Sequence, residues 1–481
     1  MDKRNLTLVM DFYELTMSNG YYHYNETDQW AVFDCFYRSN PDKGGYAIFA
    51  GLHEVIEYVK NLYFSEEDIA YLRSLNMFDE EFLSYLRTFK FHGNIYSFKE
   101  GSIVYPYEPL ITVFAPIIEC QILETALLLY VNHETLIATK TNRIVLASKG
   151  RGVSDFGARR AHNMDAAIYG ARAAYIGGAN STATVYAAKE FNIPVSGTMA
   201  HSWVMTFEDE YEAFKKYAEL YSDNCVLLID TYDVLHSGII NAIKVAKEVL
   251  IPMGKRLKGV RIDSGDLAYL SKKIRQILDK NDMKDCKIVA SNSLDEYTIS
   301  SLLDQGAKID SFGVGEKLIT SASSPVLGAV YKLAAIKKDD VLIPKIKISA
   351  SVGKITNPGF KTVYRVYDEQ NKSIADLIAL KDEVLDFSKP LHFVDPLKPW
   401  KNRVFENCTF KNMHETIFEN GELVYKEPSL DETRQYVRMQ VDDLMWEAEK
   451  RFEFPHIHYL DYTYKFNELK LKMIEKYSQY D

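Results

Sequence analysis

The sequence predicts an α/β protein: a core of about seven βα units forming an irregular parallel barrel, an N-terminal mixed α/β domain and a C-terminal accessory segment. Three observations predict it. Between about residues 150 and 330, short apolar or β-branched runs alternate with stretches of helical periodicity. Each run ends in polar, charged or glycine residues. The 481 residues, 47% hydrophobic, exceed what one ordinary domain uses and fill two or three.

Taken in order, residues 1–118 read as the N-terminal domain, with strands at 31–37, 103–105 and 110–114 and helices at 52–62 and 80–87. Residues 119–148 read as one long helix, apolar along Ile122, Ala126 and Leu129, which opens a barrel domain over 119–335. The barrel runs are 152–156, 174–176, 193–197, 225–229, 259–262, 287–290 and 309–314. Between them Ile239, Ile243, Ala246 and Leu250 fall on one helical face, as do Leu267, Leu270, Ile274 and Ile277. Strand–helix alternation at this spacing implies right-handed βαβ units and a parallel sheet. Seven units are one short of a closed (β/α)8 barrel, which leaves an irregular barrel, an eighth strand from a neighbouring segment, or a doubly wound open sheet. Strands at 345–349 and 362–367 are expected to return residues 336–390 to the N-terminal domain. Residues 391–481, with a helix over 437–449, read as an accessory module.

Charge and cysteine usage narrow the function classes. A net charge of -10 does not attract phosphate backbones over a whole surface, so a nucleic-acid partner is not expected. Cys35, Cys120, Cys225, Cys286 and Cys408 are odd in number and contain no CxxC pair, which reads as reduced thiols in a cytoplasmic protein. The opening residues Met1-Asp2-Lys3-Arg4-Asn5-Leu6 lack the apolar core of a signal peptide. The most apolar stretch, 122–131, contains Glu124 and is far short of the ~20 residues that cross a bilayer, so no membrane partner is expected.

The chemistry gathers at the strand ends, which share one face in a parallel barrel. His201 follows the third run among small residues, Gly197-Thr198-Met199-Ala200. It reads either as a packed core histidine or as an imidazole open to a ligand, able to act as base or nucleophile. Arg159 and Arg160 follow Asp155-Phe156-Gly157-Ala158 and suit an anion, since a guanidinium forks onto carboxylates and phosphates; a surface ion pair is the plainer reading. Arg261 lies inside a buried-looking strand and therefore needs a partner, either Asp263 or a ligand anion. Asp263-Ser264-Gly265-Asp266 precedes a helix and is either an N-cap or a contact for sugar hydroxyls or metal. Gly313-Val314-Gly315 bares backbone N–H groups for a phosphate or simply makes a tight turn. Tyr13, near a helix start, is a packed aromatic or a plate for a flat heterocycle.

The chain resembles the nicotinate phosphoribosyltransferases. The resemblance rests on Asp11-Phe12-Tyr13-Glu14-Leu15-Thr16-Met17, Gly44-Gly45-Tyr46-Ala47-Ile48-Phe49-Ala50-Gly51-Leu52, Glu134-Thr135-Leu136-Ile137-Ala138-Thr139-Lys140 and Asp155-Phe156-Gly157-Ala158-Arg159-Arg160-Ala161. It continues through Gly197-Thr198-Met199-Ala200-His201-Ser202, Val260-Arg261-Ile262-Asp263-Ser264-Gly265-Asp266, Phe312-Gly313-Val314-Gly315 and Val330-Tyr331-Lys332-Leu333. These stand in family order over about residues 5–335. The resemblance implies an N-terminal mixed α/β domain with an irregular α/β barrel, and homodimers whose sites lie near the interface. It implies transfer of phosphoribosyl from 5-phosphoribosyl 1-diphosphate to nicotinate, coupled to ATP and assisted by Mg²⁺, for which no metal ligand is assigned. It implies His201 as the residue that ATP phosphorylates. Tyr13, Phe156, Arg159, Thr198 and Arg261 would contact nicotinate; Asp263, Ser264, Ser291, Asn292, Gly313, Gly315 and Thr320 would hold the phosphoribosyl side. Glu316 departs from the Thr common in the family after the second glycine, and as an acid beside a phosphate loop it is expected to point away. Two enzymes of the same superfamily are the nearest rivals, one using nicotinamide and one using quinolinate. The nicotinamide enzymes carry an Asp where this chain has Ala183. A catalytically inert nucleotide-binding barrel is the rival from another class.

Overall fold

The computed structural model describes residues 4–478 apart from 25, 397 and 399, so the first three residues of the expected leaderless start lie outside the described residues. The chain forms two compact units, one made of residues up to Leu136 together with those from Val326 onward, the other of Ile137–Pro325.

The second unit is the parallel one. Its strands are β1 (Gly152–Asp155), β2 (Ser181–Thr182), β3 (Val226–Leu228), β4 (Gly259–Ile262), β5 (Lys287–Ala290) and β6 (Ser311–Val314). Among the described residues they form one six-stranded sheet in the order β2-β1-β6-β5-β4-β3, parallel throughout. The pairing of β6 with β1 joins the last unit to the first, which is barrel winding and excludes a doubly wound sheet. A single parallel bridge from Thr182 to Val195 adds a rudimentary seventh position beyond β2. Among the described residues no ladder joins Val195 to β3, so the barrel is open between its third and fourth positions.

Two expected runs are corrected here. Residues 174–176 are the end of helix α1 (Met164–Ile176), and the second strand is β2 instead. The run ends a segment with Ala166, Ala167, Ala171, Ala173 and Ala174, and Ala has the highest helix propensity, so buried helix outcompetes strand. The run 193–197 supplies one bridge rather than a strand: Pro194 has no N–H for a ladder and Gly197 weakens extended structure. The expected helical face at 239–250 is buried as read, while that of Leu267–Lys280 turns slightly, burying Leu267, Ser271, Ile274 and Leu278 in place of Leu270 and Ile277.

The first unit holds a seven-stranded antiparallel sheet. In order it runs Val341–Pro344, Val330–Lys338, Trp30–Phe36, Ile111–Pro116, Asn94–Phe98, His414–Glu419 and Glu422–Leu423. A six-stranded sheet from the C-terminal third places Tyr459–Tyr462 between Leu391–Val394 and Ser373–Leu380. The strand expected at 345–349 is absent; the pairing segment is Val341–Pro344, opposite Ala335 to Lys338. The expected helix over 437–449 breaks up: Leu430–Met439 is α-helical, and wider and tighter turns follow to Lys450. The long helix expected at 119–148 is divided at Leu123 into Ile117–Ile122 and Glu124–Ala147.

Buried charge in the first unit is paired. Arg365 donates two hydrogen bonds to Asp376, at 2.8 and 2.6 Å, and a third to the Ile103 carbonyl. His458 stacks on Tyr105 with ring centroids 3.8 Å apart and contacts Glu449 through Nδ1 at 3.1 Å. Glu100 Oε1 accepts from the backbone of Gly51 and Leu52, satisfying the N–H groups that open helix Leu52–Lys60. All five cysteines are free thiols. No helix among the described residues is long and apolar enough to cross a membrane.

Candidate active site

Asp155 and Arg159, Asp263 and Ser264, Ser291 and Asn292, and Gly315 stand at or just past the carboxyl ends of β1, β4, β5 and β6; Arg261 and Gly313 lie within β4 and β6, and Thr198 and His201 follow the Val195 bridge. Asp155, the last residue of β1, is buried and fixes its loop from both oxygens: Oδ1 accepts from Gly157 N and Oδ2 from Thr182 Oγ1, each at 2.8 Å. Burial raises its pKa above the ordinary carboxylate value, and the two hydrogen bonds oppose the shift. The loop so held presents Phe156 and then Arg159, which is exposed in a short 3₁₀ turn, Ala158–Arg160. The Phe156 ring lies over Gly313: a Cβ there would stand 2.4 Å from two ring carbons. Gly313 is thus a buried position within β6 that leaves room for Phe156, while Gly315 precedes the four-residue helix Glu316–Ile319.

Arg261, on β4, is the electrostatic centre. It is half-buried, and Nη1 donates to Thr198 Oγ1 at 2.6 Å. Its Nε is buried and has no hydrogen-bond partner. Burial lowers its pKa from the ordinary arginine value; Asp263 and Asp230 oppose this, and the like charge of Arg159 adds to it. Two guanidiniums within each other's field, one with an unsatisfied buried donor, form a receptor for an anion.

His201 begins a short helix, His201–Thr206, and is partly exposed. Its Nδ1 lies 3.1 Å from Thr231 Oγ1. Thr231 follows β3, so this contact spans the opening where no ladder joins the third and fourth barrel positions. Asp230, next to it, accepts from Asp263 N at 2.9 Å and Ser264 Oγ at 2.6 Å through Oδ2; its Oδ1 is buried without a partner. Asp230 and Thr231 organise the site although neither was given a role from sequence. The signal available was their position at a strand end, which does not distinguish them from other loop residues.

On the next strand ends, Ser291 is buried with its Oγ unpartnered, and Asn292 and Ser293 have φ of 93° and 48°. Two consecutive left-handed non-glycine residues are costly and concentrate at functional loops. Thr320 caps the helix after Gly315 and donates to the Glu316 carbonyl. Glu316 is exposed and pairs with Arg160, Nε to Oε2 3.8 Å, so its charge is met by a cation. Tyr13 belongs to the first unit, on helix Phe12–His23, exposed, with Glu124 as a hydrogen-bond partner that joins desolvation in raising its pKa.

Comparison with known proteins decides the family. Family models for the N-terminal domain, the main family and the C-terminal domain of nicotinate phosphoribosyltransferase (NAPRTase) match residues 8–132, 152–384 and 360–470. The chain is 47% identical to the nicotinate phosphoribosyltransferase of Bacillus subtilis over 95% of its length and 93% of the relative's. The chain belongs to the nicotinate phosphoribosyltransferase family. The family member of Caenorhabditis elegans is 34% identical over 93% of this chain and 90% of its own. The crystal structure of human nicotinic acid phosphoribosyltransferase superposes with a TM-score of 0.86 at 25% identity, covering 97% of this chain and all of that one. As a member of this family the chain is an enzyme of NAD biosynthesis, a nicotinate phosphoribosyltransferase by class. The expected fold class stands with it, an α/β half-barrel with an N-terminal domain.

Proposed function

We propose that this site joins nicotinate to 5-phosphoribosyl 1-diphosphate, giving nicotinate mononucleotide and diphosphate, while ATP is hydrolysed to ADP and phosphate through phosphorylation of His201. The observation that carries the substrate reading is Arg261: a half-buried guanidinium whose Nε donor is buried and unmet, beside Arg159, waits for an anion. The nicotinate carboxylate meets that demand, with Thr198 fixing one side of the fork. Phe156 is the aromatic surface of the reading, and Tyr13 is assigned as a further nicotinate contact. The pyridine nitrogen carries no proton at neutral pH, so it attacks the anomeric carbon without a general base. Catalysis then consists of positioning the ring and stabilising charge on the leaving diphosphate.

Asp263, Ser264, Ser291, Asn292, Gly313, Gly315 and Thr320 are assigned to the phosphoribosyl side. The site fits Mg²⁺, because the unpartnered buried Oδ1 of Asp230 and the nearby Asp263 supply hard oxygen donors. Bound there, the ion would neutralise diphosphate charge. Asp230 and Asp263 are the residues that would hold it.

With Nδ1 engaged by Thr231, His201 keeps Nε2 open to a phosphoryl group. Incubation with γ-labelled ATP is expected to give acid-labile label on the wild type and none on His201→Ala; the variant should keep a slow, ATP-independent transfer. Label retained on the variant removes His201 from this role. A homodimer, read from sedimentation, and a reducing cytoplasmic setting, consistent with five free thiols, complete the reading.

A further inference from the structure

We infer that a basic cavity at the amino ends of β1, β5 and β6 is a second anion site, built for a small polyphosphate. The cavity has a volume of about 570 Å³, within the range of small-ligand pockets. Lys149, Arg151, Arg275, Lys284 and Lys308 line it, against the single acid Asp310. Lys149 and Arg151 precede β1, Lys284 precedes β5, and Lys308 and Asp310 precede β6. These three strands are neighbours in the sheet, in the order β1-β6-β5. Because the strands are parallel, their amino ends face away from Phe156, Ser291 and Gly315, which leave the carboxyl ends of the same strands. Four residues of strand span about 13 Å, so the cavity is separate from the candidate active site.

The charge is built in rather than scattered. Arg275 is fixed by Asp279 at 2.8 Å and by the carbonyls of Cys286 and Met283, each at 2.7 Å. Arg151 donates from Nε to the Ile309 carbonyl at 2.9 Å and from Nη1 to the Ser148 carbonyl at 3.3 Å. Carbonyls orient the Arg151 guanidinium without neutralising it. Asp310 is occupied by the neighbouring strand β5, accepting from Ile288 N at 2.9 Å and Lys287 Nζ at 3.4 Å. Lys149 pairs with Asp304 at 3.0 Å on the exposed rim. Lys284 and Lys308 are exposed, and among the described residues neither ammonium has a hydrogen-bond or ion-pair partner. The result is a wall of fixed cations with two free lysines, on a chain whose net charge is -10. That global charge disfavours a long nucleic acid, and the three cations not met by a carboxylate, Arg151, Lys284 and Lys308, exceed the charge of a single phosphate dianion; a short phosphate chain matches both.

Isothermal titration of the full-length protein with inorganic tripolyphosphate tests this, comparing wild type with Lys284→Ala/Lys308→Ala. Two binding events are expected on the wild type, one at each face of the barrel. One of them should weaken about tenfold or more in the double variant, with the phosphoribosyl-transfer kcat and the melting temperature unchanged. Superimposable isotherms overturn the proposal, as does a single event on the wild type that survives both substitutions. A parallel titration with a non-hydrolysable nucleoside triphosphate identifies the source. Equal weakening for both ligands assigns recognition of the phosphate chain alone; a larger loss for the nucleotide assigns a base contact as well.

Discussion

Single residues would decide which anion the proposed site accepts. Removing the Arg261 guanidinium would delete the Thr198 contact and the buried donor together. Arg261→Ala is expected to lower kcat/KM for nicotinate by about 10²-fold, the scale of one lost charge-assisted contact in a desolvated site, at near-constant KM for the phosphoribosyl donor. Steady-state kinetics with each substrate varied measures it; an unchanged nicotinate kcat/KM removes Arg261 from the pocket. Ala183 is exposed just beyond β2, and its N–H donates to the Asp155 carbonyl at 2.9 Å. An added carboxylate at this point repels the acid and can accept from an amide. Ala183→Asp should therefore shift the ratio of nicotinamide to nicotinate turnover upward, as read from mononucleotide formed in competition.

At the scale of elements, the βα loops are held by contacts that a sequence does not display. Gly313 shows how closely strand and loop are matched. A methyl there collides with the Phe156 ring at 2.4 Å, so Gly313→Ala should cost about 1–3 kcal/mol and raise the nicotinate KM as the ring moves. Thermal melting and kinetics on the same preparation check both effects, and a stable variant with unchanged KM would separate Phe156 from the substrate. Five of the seven runs read from periodicity are strands, because β-branched cores between turn signals leave few alternatives. The run 174–176 was misread because three apolar residues suit a buried helix end as well as a strand. The run 193–197 lost its ladder because Pro194 lacks the N–H. The place of His201, just past the run 193–197, was legible. Its link to Thr231 was not, since the two are thirty residues apart and meet only because the barrel brings them together.

For the whole molecule, stability depends on how the C-terminal third is tied into its unit. Tyr459–Tyr462 is an interior strand, and His458 beside it lies between Glu449 and Asp376. Burial alone would lower the His458 pKa, but Asp376 and Glu449 outweigh it and the net shift is upward. A histidine raised in the folded state contributes stability that is fully present below its unfolded value, about 6.5, and is lost as pH rises through its higher folded value. His458→Gln should therefore destabilise by about 1–3 kcal/mol at pH 6, because Glu449 loses its cation while Asp376 keeps Arg365, and by less at alkaline pH. Melting curves from pH 5 to 9 test the sign; a deficit that grows with pH contradicts it.

The sequence by itself determined the class of fold and, through its ordered motifs, the family. These are properties of local periodicity and of residue types that few chemistries use. Tertiary structure alone decided that the barrel is open between its third and fourth positions, that Thr231 spans that opening, that Arg261 keeps an unmet donor, and that Asp230 holds the Asp263 loop. Each depends on atoms far apart in the chain brought within about 3 Å, and hydrogen bonding at that range is fixed by packing, not by spacing along the chain.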